Sequence, residues 1–198
     1  MALPARDSEL VQIMDASLAD AARRAGQWLA CRPGCTQCCY GAFAINALDA
    51  LRLQSGMKLL RVSDPAIAVD LESRARAWLA EFEPSFPGDP ASGILGTSEA
   101  DVARFDDFAN DAPCPALNPV TGLCDVYAWR PMTCRTFGPP TPLENTALGC
   151  CELCFVGASE SEVAACEMPV PHALESELLA EVDADPPVET LVAFALLS

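Results

Sequence analysis

Cysteines dominate the residues of this chain that could do chemistry. Four of them fall within nine residues, in the string CRPGCTQCC, and three more follow at intervals of ten residues. A third group stands near residue 150. Thiolates gathered at this density in a small chain usually bind a metal ion or an iron–sulfur cluster. The predicted metal ligands are Cys31, Cys35, Cys38, Cys39, Cys114, Cys124, Cys134, Cys151 and Cys154.

Sulfur is almost the only strong transition-metal donor available, because the chain has a single histidine, His172. Sulfur ligation favours zinc or an iron–sulfur cluster over imidazole-based catalytic sites. The pairs Cys35-x-x-Cys38 and Cys151-x-x-Cys154 have the spacing at which two sulfurs can converge on one ion. The cofactor is therefore predicted to be zinc or an iron–sulfur cluster, and the sequence leaves the two close to even.

The number of sites is open at this stage. Nine thiolates exceed one tetrahedral site. They could form two sites, one cluster plus a structural zinc, or one four-thiolate site with spare redox-active sulfurs. Cys150 and Cys166 lie outside the motifs, and we expect Cys166 to be a small buried apolar side chain.

Two arginines flank Cys134 and are the last basic residues of the chain, Arg130 and Arg135. Four thiolates around Zn²⁺ leave a net charge near −2, which cations nearby would offset. We predict that both arginines lie beside the cofactor and hydrogen-bond to sulfur or to neighbouring carboxylates. The equal alternative is that they pair with surface acids.

A disulfide scaffold is the main alternative for eleven cysteines. The odd number and the length of 198 residues argue against it, because small secreted domains are the usual disulfide-dense proteins. The N-terminal string MALPARDSEL also lacks the pattern of a secretory signal, so we expect a cytoplasmic protein. No apolar run approaches the ~20 residues that a transmembrane helix needs.

The charge of −16 is unevenly distributed, because residues 136–198 contain eleven acids and no Lys or Arg. This balance disfavours binding to nucleic acid and docking on anionic membranes. An acidic surface could attract a basic protein partner, although solubility alone is the simpler interpretation. The oligomeric state cannot be inferred.

Hydrophobic periodicity predicts a mainly α fold, in which helices wrap around a loop- and hairpin-built cysteine centre. The first helix is predicted over 8–30. The second begins at Asn46 and ends near Gly56, and Ser63-Asp64-Pro65 opens the third. Ser98 begins a short fourth helix.

The second half of the chain is less regular. Residues 114–124 are predicted to form a tight hairpin, because Asn118-Pro119 and Thr121-Gly122 supply turn chemistry. Helices are expected over 159–167 and 171–185 and in the apolar tail. We predict one domain over 1–198, composed of an N-terminal helix (1–30), a cysteine core (31–155) and an acidic helical segment (156–198).

The spacing Cys31-x3-Cys35-x2-Cys38 resembles the radical-SAM motif. That motif follows a strand in a partial α/β barrel, whereas here a helix precedes it and βα repeats are missing. The order CxxGCxxCC, then C…G.C.VY..RP..CR.FG, then CELCF resembles the YkgJ-type cysteine-cluster family, the CxxCxxCC zinc- or iron-chelating proteins. The matching residues are Cys31, Cys35, Cys38, Cys39, Cys114, Gly122, Cys124, Tyr127, Arg130, Pro131, Cys134, Arg135, Cys151 and Cys154.

The resemblance implies metal chelation. The first functional hypothesis is a metal-binding protein without catalysis of its own, which carries electrons, handles a metal or uses the metal only to hold its fold. A related pattern in flagellin lysine methylases keeps a metal-dependent redox or protein-modifying enzyme open as the alternative. No Walker loop, GxGxxG, HExxH or serine triad pattern is present, so no catalytic residue is predicted.

Overall fold

The computed structural model describes residues 2–142, 148–182 and 187–198. Within these ranges the protein has eight α-helices and three two-stranded antiparallel sheets, which confirms the mainly α fold. The helices are α1 (Asp7–Ala25), α2 (Ala47–Ser63), α3 (Pro65–Phe82), α4 (Glu99–Asp106), α5 (Met132–Thr136), α6 (Glu160–Ala165), α7 (His172–Val182) and α8 (Val192–Leu197). The strands are β1 (Ala44–Asn46), β2 (Gly88–Asp89), β3 (Ile94–Leu95), β4 (Thr141–Pro142), β5 (Leu148–Gly149) and β6 (Glu189–Leu191).

Side-chain caps define the starts of three helices, as predicted. The Asn46 side chain accepts a hydrogen bond from the backbone N–H of Asp49 at 2.9 Å. Asp64 caps α3 in the same way, and Ser98 caps α4. Each cap satisfies a backbone donor that has no partner inside the helix.

Two predicted helix ends are wrong. The first helix ends at Ala25 and not at residue 30, because Gly26 takes a φ of 51° and breaks the helical path. The second helix does not end at Gly56 but continues to Ser63. Gly56 instead allows close packing, since a Cβ at this position would lie 2.5 Å from ring atoms of Trp129.

The predicted helix over 171–185 is observed as α7, and residues 183–185 lie outside the described residues. The segment between α3 and α4 contains the short β2–β3 hairpin. The apolar tail forms α8, and β6 precedes it and pairs with β1 in the register Ala44↔Leu191.

The core divides into neighbouring apolar clusters. Residues of α2, α3 and α8, among them Leu53, Leu71 and Leu196, are completely or almost completely buried against each other. A second cluster joins α1 to α2 and α7 through residues such as Met14 and Leu178. These helices form the support from which the cysteine segments extend.

Candidate metal centre

One group of cysteines joins the segment after α1 to the turn near residue 151. Although part of the Cys31 side chain is exposed, burial raises the pKa of its thiol to about 12, and neighbouring sulfurs add to the rise. These neighbouring sulfurs belong to Cys154, Cys35 and Cys151. The predicted ligands Cys31, Cys35, Cys151 and Cys154 thus lie near one another, and they are called the group of four below.

Backbone contacts hold the two segments of this group together. The Phe155 N–H donates to the Trp28 carbonyl at 2.8 Å, and the Ala30 N–H points at the Cys154 Sγ at 3.4 Å. Gly138 closes the site from another side, because a Cβ there would lie 2.8 Å from the Cys31 Sγ. Residues far apart in sequence are thus packed around the same sulfurs.

The other group brings together the remaining five predicted ligands. Burial raises the pKa of the Cys134 thiol, and the nearby sulfurs of Cys114, Cys124 and Cys38 raise it further. The Cys39 thiol lies against Cys38, with Cys114 and Cys124 also nearby. The group of five is Cys38, Cys39, Cys114, Cys124 and Cys134.

The segment of the predicted hairpin supplies two members of this group. A single antiparallel bridge pairs Leu117 with Cys124, so Cys114 lies before the hairpin and not, as was predicted, at the end opposite Cys124. The Cys114 N–H donates to the Cys39 carbonyl at 2.7 Å, which ties this residue to the N-terminal cysteines. Arg74 of α3 fixes the hairpin from outside. It donates to the Pro115 carbonyl at 2.8 Å and pairs with Asp125 at 2.7 Å.

Backbone N–H groups two or three residues downstream are directed at three of the sulfurs. Burial raises the pKa of the Cys114 thiol to about 12, and hydrogen bonds from the N–H groups of Ala116 and Leu117 oppose the rise. The Val126 N–H acts likewise on Cys124, and the Leu153 N–H on Cys151. Donors aimed at sulfur favour the thiolate, which is the form that binds metal.

The short helix α5 positions Cys134 through a buried ionic network. Arg52, 2% exposed, binds both Asp7 and Asp49. Asp49 also accepts a hydrogen bond from the Met132 N–H at the start of α5, at 3.0 Å. The network therefore joins α1 and α2 to the segment that carries the cysteine.

The two arginines predicted beside the cofactor share a carboxylate on α1. Arg135 is fully buried and donates to Asp15 at 2.6 Å and to the Ala128 carbonyl at 2.7 Å. Arg130 lies 3.8 Å over the Tyr127 ring and 3.3 Å from Asp15. The alternative of pairing with a surface acid is thus observed for both.

Arg130 also acts on the group of five. A hydrogen bond from the Cys39 thiol lowers the pKa of Cys38 to about 6, and the positive charge of Arg130 acts in the same direction. The charge of Arg130 likewise opposes the rise that burial causes in the pKa of Cys124. For Arg135, the hydrogen bonds found run to Asp15 and to backbone carbonyls.

The two cysteines outside the motifs have different surroundings. Cys166 is 5% exposed and packs with Ala25 and Phe155, in agreement with its expected role as an apolar side chain. Cys150 is exposed overall. The partial burial of its thiol raises its pKa, and the nearby sulfur of Cys154 raises this pKa further. All eleven cysteines are free thiols.

The sequence prediction overlooked Asp15 and Arg52. A signal for Arg52 was present, because it stands three residues after Asp49 on a helix whose neighbouring positions are buried leucines. A charged side chain on such a face needs a buried partner of opposite charge. Asp15 gave no local signal, since its partners are 115 and 120 residues away.

Two negative findings apply to the part of the chain that the structure describes. No group of three or more His, Cys, Asp or Glu side chains stands in an arrangement that could hold a metal ion. No helix there is long and apolar enough to cross a membrane.

Comparison with protein families gives one match. The family model described as "CxxCxxCC: putative zinc- or iron-chelating domain" matches residues 30–154, more than half of the chain. The matched range contains every member of both cysteine groups. Neither the curated proteins nor the solved structures include a significant match.

Proposed function

The chain belongs to the CxxCxxCC family, and we propose that it chelates zinc or an iron–sulfur cluster through the thiolates of its two cysteine groups. The family match over residues 30–154 carries this proposal, and the proximity of the nine predicted ligands to one another in two groups supports it. A role as apolar core residues would require neither their convergence nor backbone N–H groups directed at their sulfurs.

The donor set fits both metals. Zinc and iron–sulfur clusters each take four cysteine thiolates, which is the number in the smaller group. Binding requires the sulfurs of each group to move closer together and to lose their protons. The metal, when bound, supplies a cross-link between distant segments and, if it is iron, the capacity to accept an electron.

The protein's own residues prepare this binding. The N–H groups of Ala116, Val126 and Leu153 stabilise negative charge on sulfur, and Arg130 adds a positive charge beside the group of five. A four-thiolate zinc site has a charge near −2, so these donors lower the electrostatic cost of ligation. We propose metal handling or electron transfer as the resulting role.

Serine substitutions test the ligand assignment. We expect Cys35→Ser to lose the metal bound by the group of four, and Cys124→Ser to lose the metal bound by the group of five. Each substitution should also destabilise the fold, because metal binding contributes to folding. Cys166→Ser is the control for metal content and should keep the full amount, since Cys166 is not among the predicted ligands and lies in the apolar cluster that also contains Ala25 and Cys154. Metal content is measured by mass spectrometry and stability by thermal unfolding. Full metal content and unchanged stability in Cys35→Ser would refute the assignment.

A further inference from the structure

The turn that carries Cys151 and Cys154 is followed by a residue with an unusual backbone conformation. Phe155 has a φ of 56°, in the left-handed region that a bulky side chain rarely adopts. Among the described residues other than glycine, only Ala109 shares a positive φ. Such conformations are found mainly at functional sites, and they persist only where the surrounding structure compensates for the backbone strain.

Two consecutive side chains of this turn enter the same apolar cluster. Cys154 is 3% exposed and Phe155 is 6% exposed, whereas Leu153 and Val156 on either side of the pair are exposed. The cluster also contains Ala25 at the end of α1. Consecutive side chains of an extended chain point to opposite faces, so the left-handed turn at Phe155 allows both side chains to be buried together.

The buried pair joins the turn to the segment that follows α1. The Phe155 N–H donates to the Trp28 carbonyl at 2.8 Å, and the Ala30 N–H points at the Cys154 Sγ at 3.4 Å. Trp28 and Ala30 also pack against the cluster that contains the Phe155 ring. Because Cys31 follows directly after this segment, the contacts of Phe155 keep the Cys154 sulfur close to the chain that carries Cys31.

We infer that Phe155 is a positioning residue, whose buried ring holds the turn 151–155 against residues 28–31 and so fixes the Cys154 sulfur. Its importance for metal binding rests on the proposed function, whereas the hold on the turn is a property of the chain without metal. Glycine would adopt this φ without strain, yet phenylalanine occupies the position. The burial of the ring must therefore stabilise the turn by more than the strained backbone destabilises it.

Thiol labelling of the reduced, metal-free, full-length chain tests the hold on the turn. Iodoacetamide modifies accessible thiols, and cleavage after Glu152 and Glu160 isolates residues 153–160, in which Cys154 is the only cysteine. We expect Phe155→Ala to raise the labelling rate of Cys154 about tenfold or more, because the turn opens locally once its anchor is lost. Phe155→Leu keeps an apolar side chain in the cluster and should stay within about threefold of the wild-type rate.

Two further variants separate the ring from the backbone and from general loss of stability. Phe155→Gly removes the ring but relieves the strain, so it should fold even if Phe155→Ala does not, and it should also expose Cys154. Phe108→Ala is the matched control, because Phe108 is buried to the same degree in the separate cluster of Trp78 and Phe86. The inference is overturned if Phe155→Gly keeps the wild-type rate, or if Phe108→Ala raises the rate as much as the Phe155 variants do.

Cobalt binding tests the consequence for the metal centre, because Co²⁺ can take the place of Zn²⁺ and its absorption spectrum reports the coordination geometry. We expect Phe155→Ala to weaken the binding of one cobalt ion about 10- to 100-fold, and Phe155→Leu to recover most of this loss. Unchanged cobalt affinity in a Phe155→Ala chain with an exposed Cys154 would overturn the role in metal binding. Wild-type protein that binds neither cobalt, zinc nor iron would refute the proposed function, and the labelling rates would still decide whether Phe155 holds the turn.

Discussion

Arg52 offers a quantitative test of how the helices support the cysteine segments. Its side chain is 2% exposed and lies between the carboxylates of Asp7 and Asp49, which are 9% and 3% exposed. Arg52→Met keeps most of the side-chain volume but removes the positive charge that balances the carboxylates of Asp7 and Asp49. Breaking a buried ion pair from one side costs about 3–5 kcal/mol, because an uncompensated charge remains.

The loss should depend on pH. Burial already raises the pKa of Asp49, and removal of Arg52 should raise it further. A carboxyl group whose pKa is raised by folding destabilises the folded state when it is ionised and not when it is protonated. The loss in free energy of unfolding caused by Arg52→Met should therefore be largest at neutral pH and should shrink as the pH falls through the raised pKa of Asp49. Adding Asp7→Asn and Asp49→Asn to Arg52→Met should restore most of the stability at pH 7.

Urea unfolding followed by circular dichroism measures these free energies. Arg76→Met is the matched control, because Arg76 is 64% exposed in its 2.9 Å pair with Glu72 and should contribute about 0–1 kcal/mol. If Arg52→Met cost no more than this control, or if its cost were the same at pH 5 and pH 7, the ionic network would not support the structure as argued.

Two further predictions concern packing and proton release. Gly56→Ala should lower the free energy of unfolding by about 1–3 kcal/mol despite the better helix propensity of alanine, because its Cβ would lie 2.5 Å from Trp129; urea unfolding measures the loss, and a stabilised variant would contradict it. Zinc affinity of the group of five should fall about 1,000-fold per pH unit between pH 8 and 7, tenfold for each of three protons released. Burial raises the pKa of the thiols of Cys114, Cys124 and Cys134, so each of them must release a proton when it binds the ion. Competition titrations measure this slope, and a pH-independent affinity would refute it.

Local chemistry made part of the fold predictable. The caps at Asn46, Asp64 and Ser98 were correctly predicted because each depends on a hydrogen bond to a residue three positions away. The turn before Cys124 was predictable for the same reason, since it is determined by the residues within it, but the pairing of Cys124 with Leu117 and not with Cys114 was not.

Contacts between distant residues were not predictable from local pattern. Gly56 resembles a helix end, yet its role depends on Trp129, which lies 73 residues away in the sequence. The nine predicted ligands were chosen by residue type and spacing, but their division into two groups depends on how the chain returns from Cys39 to Cys114 and from Cys35 to Cys151. Spacing within each motif contains no information about that return.

The content of metal and of acid-labile sulfide per chain, measured after anaerobic purification, shows whether the cysteine thiolates bind metal. We expect either about two zinc ions per chain without sulfide or iron with matching sulfide. A chain that contains neither zinc nor iron under these conditions would contradict this expectation.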